Sequence, residues 1–115
     1  MTPSPPLLTR SQRDYIRDLL LDRHVRTRER AFVVEGAHAV RDLLTRHPEQ
    51  ILTIVTASGY LEKEKRNDRL LRLTASTQQY SCPDLQFSKL SDLDTPHGIL
   101  AVVRQPTWDE KEVLG

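Results

Sequence analysis

With 115 residues the chain has the length of one domain, long enough to bury roughly two thirds of the surface that its unfolded form exposes. A single cysteine, Cys82, excludes an internal disulfide, and His24, His38, His47 and His97 are too scattered for a recurring zinc spacing, so a reducing, cytoplasmic setting is expected. Net charge is only +1, and no apolar run approaches a membrane span or the h-region of a signal peptide, so a soluble protein with no membrane partner is expected.

Residues 1–7, rich in proline, read as a disordered or extended lead-in. From 11 to 23 the apolar residues Ile16, Leu19 and Leu20 recur at helical spacing, while Arg10, Arg13, Arg17 and His24 fall on another face. This predicts an amphipathic helix with a basic stripe. The segment "RHVRTRER" at 23–30 reads as a loop that sets Arg26, Arg28 and Arg30 at every second position ahead of a short strand at 32–35. Gly36 opens a second helix in which Ala37, Val40 and Leu44 repeat at i, i+3 and i+7, until His47-Pro48 ends it. "ILTIVTA" at 51–57 is a strand with apolar side chains on both faces.

The stretch 61–76 predicts a third helix, with Leu61, Leu70, Leu71 and Leu73 inward and a solvated mixture of Glu, Lys and Arg outward. "LQF" at 85–87 reads as a short strand, and "SKLSDLD" at 88–94 as one or two helical turns capped by Ser88. "GILAVV" at 98–103 is a continuous apolar strand of the kind covered on both sides. Strands alternating with helices predict an α/β domain over residues 8–104, a layered α/β/α arrangement around a mostly parallel or mixed four-stranded sheet. Residues 105–115, with Pro106 and then a charged run lacking a core pattern, read as a linker.

The small net charge hides an asymmetry. Residues 1–30 hold seven arginines against four acids, net +3, whereas residues 84–115 hold three bases against six acids, net −3. Arginine's planar fork suits phosphates and base faces better than an ammonium does. Arg26, Arg28 and Arg30 therefore compete between two readings, a solvated loop neutralised by Asp22 and Glu29, or one basic surface shared with Arg23, Arg13 and Arg17 that meets a phosphate backbone. Enzyme signatures are weak. Four separated glycines build neither a dinucleotide fingerprint nor a phosphate loop. Glu35 and His38, three apart where strand becomes helix, are better read as turn architecture than as a base and its partner. Cys82 beside Pro83 reads as an ordinary thiol rather than a nucleophile.

Three segments in order, "LTRSQRDYIRDL", "RHVRTRERAFVVEGAHAVRDLL" and "LSDLDTPHGILAVV", together resemble the amino-terminal substrate-binding domain of SpoU or TrmH-type RNA 2'-O-ribose methyltransferases, members of the SPOUT superfamily. The distinctive runs are R-x-R-x-x-x-F-V-V-E-G at 26–36 and T-P-x-G-I-L-A-V-V at 95–103. The resemblance implies a fold like that of kink-turn-binding ribosomal proteins. It also implies a role in docking structured ribosomal or transfer RNA, ribosomal RNA being favoured, onto a separate catalytic domain that binds S-adenosylmethionine and usually forms a homodimer. The catalytic motifs of that domain are absent from these 115 residues, so the chain is expected to be a non-catalytic fragment that holds no cofactor itself. By the same resemblance Arg26 and Arg28 match basic positions ahead of the strand, Glu35 and Gly36 a Glu-Gly turn, and Gly98 the glycine that opens the last strand. Arg13 stands where the family often has Asn, and His97 where it often has Gln, which touches RNA contacts rather than fold. A stand-alone RNA-binding module of ribosomal-protein type and a protein-interaction domain are the alternatives.

Overall fold

A computed structural model describes residues 5–60, 77–91 and 98–105. The first helix, α1 (Arg10–Leu21), begins where the sequence supplies a reciprocal cap. Thr9 Oγ1 accepts from the Gln12 N–H at 3.2 Å, while Gln12 Oε1 accepts from the Thr9 N–H at 2.8 Å. Asp22 then takes an extended backbone (φ −123°, ψ 111°) and serves two helices: its N–H closes α1 on the Asp18 carbonyl, and its carboxylate accepts from the His24 N–H at 2.9 Å. That second contact starts α2 (Arg23–Glu29), where a loop was expected. The helix buries no residue, so no apolar period marks it in the sequence. It stops at Arg30, which sits in the left-handed region at φ 53°.

The strands are β1 (Ala31–Glu35), β2 (Ile51–Ala57), β3 (Gln79–Cys82) and β4 (Ile99–Arg104), in spatial order β1-β4-β2-β3. Gly36 (φ 104°) turns the chain from β1 into α3 (Ala37–Arg46), after which a 3-10 turn (Pro48–Gln50) leads into β2. The last helix among the described residues, α4 (Asp84–Leu90), follows β3. Here the sequence reading is corrected: residues 85–87 are helical, not a strand, Ser88 lies inside the helix, and the N-cap position is Pro83. Phe87 and Leu90, three apart and buried, are a helical pair. The strand lies instead in "QYSC", whose first two residues are only half-buried. Residues 58–60 begin a helical turn, and the helix expected at 61–76 lies outside the described residues.

β4 runs antiparallel to both neighbours, from Ala31↔Arg104 to Glu35↔Leu100 on one side and from Ile51↔Val103 to Thr56↔Ile99 on the other, and only β2 and β3 pair in parallel. The sheet is mixed, as one expected form had it. The continuous burial of Ile99 through Val103 reflects a central position and carries no information about strand direction.

Alternate residues of the central strands feed two cores. Val55, Leu100 and Val102 meet Ile16, Leu19, Phe87 and Leu90 of α1 and α4. Ile54, Ile99, Ala101 and Val103 meet Val40 and Leu44 of α3. The lead-in is extended where it is described: the Ser81 N–H donates to the Pro6 carbonyl at 2.8 Å and the Leu8 N–H to the Ser81 carbonyl at 2.9 Å, along the outer edge of β3.

Candidate nucleic-acid interface

The arginines singled out in the sequence fall into two groups. In an extended segment every second side chain points the same way, but in α2 residues two apart lie about 200° around the helix from each other. Arg26 therefore turns inward while Arg28 turns out. Arg26 is half-buried and its Nη1 donates to the Leu19 carbonyl at 2.8 Å and the Leu20 carbonyl at 3.2 Å, two orphan acceptors at the carboxyl end of α1. Arg17 does the same for α4, its Nη1 reaching the Lys89 carbonyl at 2.6 Å. Arg13 donates to the Leu8 carbonyl at 3.2 Å and to Gln86 Oε1 at 3.3 Å. These three guanidinium groups fasten α1 to α2 and α4. Arg13 and Arg17 still border a cleft of about 260 Å³ between α1 and α4, with Gln86 and Lys89 on its other side.

The second group faces water. Arg28 has a side chain 70% exposed, with its Nε 3.7 Å from Glu29 Oε1. Arg23 and Arg30 are exposed and, among the described residues, in no ion pair. Arg104, which the sequence reading did not single out, joins them: it pairs with Ala31 in register and is exposed at the end of β4. The Gln105 N–H donates to the Arg30 carbonyl at 2.8 Å, so the chain leaves the sheet at this arginine end. The terminal Arg of an otherwise apolar strand was the available signal, but its neighbours follow only once β4 is known to run against β1. Lys89 was missed because a short helix starting at Ser88, as the sequence suggests, does not set it across from Arg13 and Arg17; the helix that starts at Asp84 does.

On the opposite flank of α1 from the basic cleft lies a groove of about 300 Å³. Its walls are Gln12 and Tyr15 of α1 and Gln78 and Tyr80 beside and within β3; Leu52 and Val102 contribute apolar surface. Gln78 Nε2 donates to the Tyr80 hydroxyl at 2.6 Å. The Tyr15 phenol is pushed above its usual pKa, first by burial and then by the Glu29 carboxylate.

Glu35, Gly36 and Gly98 sit at the other end of the sheet. Glu35 Oε1 accepts a hydrogen bond from Ser91 Oγ, tying β1 to the residue after α4. The Gly36 N–H donates to the Ile99 carbonyl at 3.0 Å. Gly98 has φ 85°, and a Cβ there would stand 2.8 Å from Tyr60 Cβ, so both the backbone and the space require glycine. All three serve the closure of the sheet. His38 is exposed on α3 with no hydrogen bond to Glu35 among the described residues, and Cys82 is buried with its thiol pushed up chiefly by burial, the opposite of an activated nucleophile.

A family model described as the MRM3-like substrate-binding domain matches residues 15–101. The chain belongs to this family. The matched span runs from Tyr15 in α1 to Ala101 in β4, and so includes α2 and its arginines but stops short of Arg13 and Arg104. Solved structures similar to this MRM3-like domain agree with the fold. One is a Porphyromonas gingivalis protein assigned to the TrmH family of RNA methyltransferases, 25% identical with a TM-score of 0.65, over 87% of this chain and 36% of that one. Another is the SpoU methyltransferase AviRb from Streptomyces viridochromogenes in complex with AdoMet, 25% identical with a TM-score of 0.64, over 90% of this chain and 36% of that one. A third is an RNA 2'-O ribose methyltransferase, 22% identical with a TM-score of 0.64, over 89% of this chain and 37% of that one, a likeness of fold alone. The MRM3-like domain thus spans just over a third of the length of these structures. No curated protein matches the sequence.

Proposed function

We propose that this substrate-binding domain docks structured RNA, ribosomal RNA in particular, for a 2'-O-ribose methyltransferase whose catalytic part lies in a further, dimerising domain. The observation that carries the reading is the set of exposed guanidinium groups on α2 and at the end of β4: Arg30 and Arg104 stand together where the chain leaves β4 toward residues 106–115, and Arg23 and Arg28 are exposed on α2, Arg28 beside Glu29. A domain tethered there would work beside the arginine end of the sheet. S-adenosylmethionine belongs to that companion domain in this reading.

The physical basis is electrostatic and sequence-independent. Each guanidinium facing a phosphate releases condensed counterions, and a rigid mount lowers the entropic cost of presenting several together. Arg26 supplies the mount by pinning α2 to α1, while the hydrogen bond from Gln105 holds the backbone of Arg30. Phosphate contacts of this kind position the RNA without choosing a nucleotide.

A salt titration of RNA binding tests the reading. The Arg28→Ala, Arg30→Gly double variant removes two exposed charges, and glycine suits the left-handed backbone at 30. Affinity is expected to fall and the log-log salt slope to flatten by about one to two, at about 0.7 to 0.9 per lost phosphate contact. An unchanged slope and affinity in a variant with native circular dichroism would return these arginines to the solvated-surface reading and favour a protein-interaction domain.

A further inference from the structure

We infer that the groove between α1 and the β2–β3 edge is a seat for one unpaired nucleobase of the docked RNA, an inference that rests on the RNA-docking reading and adds a base contact to it. The dimensions fit: about 300 Å³ accommodates a purine or a pyrimidine with room for bridging water. The chemistry fits as well. Tyr15 and Tyr80 offer aromatic faces at positions that are not fully buried, and base–aromatic stacking tolerates any base. Gln12 and Gln78 bring side-chain amides to the same walls. Each amide keeps hydrogen-bonding capacity after its known contact, since Gln12 has used its oxygen on the Thr9 N–H and Gln78 its nitrogen on Tyr80.

Charge complementarity argues for a nucleotide over an apolar peptide side chain. Arg28 and Arg30 at the end of α2 supply exposed guanidinium groups for the phosphates of a strand whose base enters the groove, and Arg28 stands 3.7 Å from Glu29, a carboxylate close enough to act on the Tyr15 phenol of the groove wall. On the far flank of α1, Arg13, Arg17 and Lys89 continue the basic surface. A base seated between two basic zones is held by stacking, and its flanking phosphates by charge, so the two contributions separate experimentally.

The test uses the 115-residue chain with two probes, a mixed-sequence single-stranded RNA of about a dozen nucleotides and the same sequence as a blunt duplex. Tyr15→Leu combined with Tyr80→Leu is expected to weaken single-strand binding about tenfold or more with the salt slope unchanged, and to leave duplex binding within about twofold. Tyr15→Phe and Tyr80→Phe keep the stacking faces and are expected to bind nearly as the parent does. Ultraviolet cross-linking of a 4-thiouridine oligonucleotide to the parent chain, which needs no variant to fold, is expected to map to Tyr15, Tyr80 or their groove neighbours. Equal losses for both probes, no loss in a folded leucine variant, or cross-links confined to the α1–α4 cleft would overturn the base seat while leaving arginine docking intact. A parent chain that binds neither probe at low salt would remove the docking reading and the base seat together.

Discussion

What an arginine does in this domain is decided by the carbonyls within its reach. Arg26 and Arg28 are two residues apart and chemically identical, yet one is half-buried on the Leu19 and Leu20 carbonyls and the other is 70% exposed against a carboxylate 3.7 Å away. Helix ends leave unsatisfied carbonyls, and a charged donor aimed at two of them makes stronger bonds than a neutral one. Arg26→Ala is therefore expected to destabilise the fold by about 1–2 kcal/mol, seen as a drop of several degrees in Tm. Arg28→Ala should change stability by no more than about 0.5 kcal/mol, because an exposed ion pair contributes little. Thermal melts of the two single variants check this directly, and equal Tm losses would contradict the division of labour. Arg26→Lys separates charge from geometry: a lysine keeps the charge but not the fork, and should recover only part of the loss.

At the scale of elements, Asp22 is the joint on which α1 and α2 both turn. Its backbone closes the first helix and its side chain opens the second, so Asp22→Ala is expected to cost about 1 kcal/mol and to raise hydrogen exchange across α2 more than across α1. Exchange unchanged in α2 would mean that Arg26 alone holds the helix in place. This element is also where the sequence was least legible. Helices that bury one face, α1 and α3, announce themselves by the spacing of Ile16 and Leu19 and of Val40 and Leu44. A helix of seven residues with no buried side chain leaves no such trace, and only the Asp at its start and the arginines in its last turn hint at it. The exchange of strand and helix around Pro83 has a related cause. β3 is a short strand at the side of the sheet with a half-exposed Gln79 and Tyr80, whereas Leu85, 70% exposed, lent "LQF" an apolar look that belongs to a helix surface. The sheet's central strands were readable because every side chain in them except the terminal Arg104 is apolar or small. Their directions were not, since burial is blind to direction and the register with β1 depends on contacts some seventy residues away in the chain.

For the molecule as a whole, a net charge of +1 is the sum of two unlike ends. The starts of β1, β2 and β3 and the end of β4 gather Arg30 and Arg104, with Arg28 on α2 beside them, whereas the opposite end carries Glu35 and Asp84, the latter accepting the Gly59 N–H at 2.9 Å. Between the ends, α1 lies over one core and brings two titratable groups into partly dry surroundings. Tyr15 and Cys82 both have raised pKa values, in each case first through burial. Unfolding returns the thiol to about 9.0 and the phenol to about 10.0, so the unfolded chain releases these protons at a lower pH than the folded one does. The sign follows from linkage: the folded state binds more protons in this window, so stability is fully present below about pH 9 and falls as pH rises through the thiol and then the phenol range. Urea midpoints measured from about pH 8 to about pH 10.5 are expected to decline across that interval. Cys82→Ala should flatten the first part of the decline and leave the later part, where Tyr15 titrates. A midpoint that stays level or climbs in the parent would mean that neither group is held protonated by the fold, and the packing of α1 over β3 would then have to be looser than the buried Cys82 and the closed Ile16–Leu19 core require.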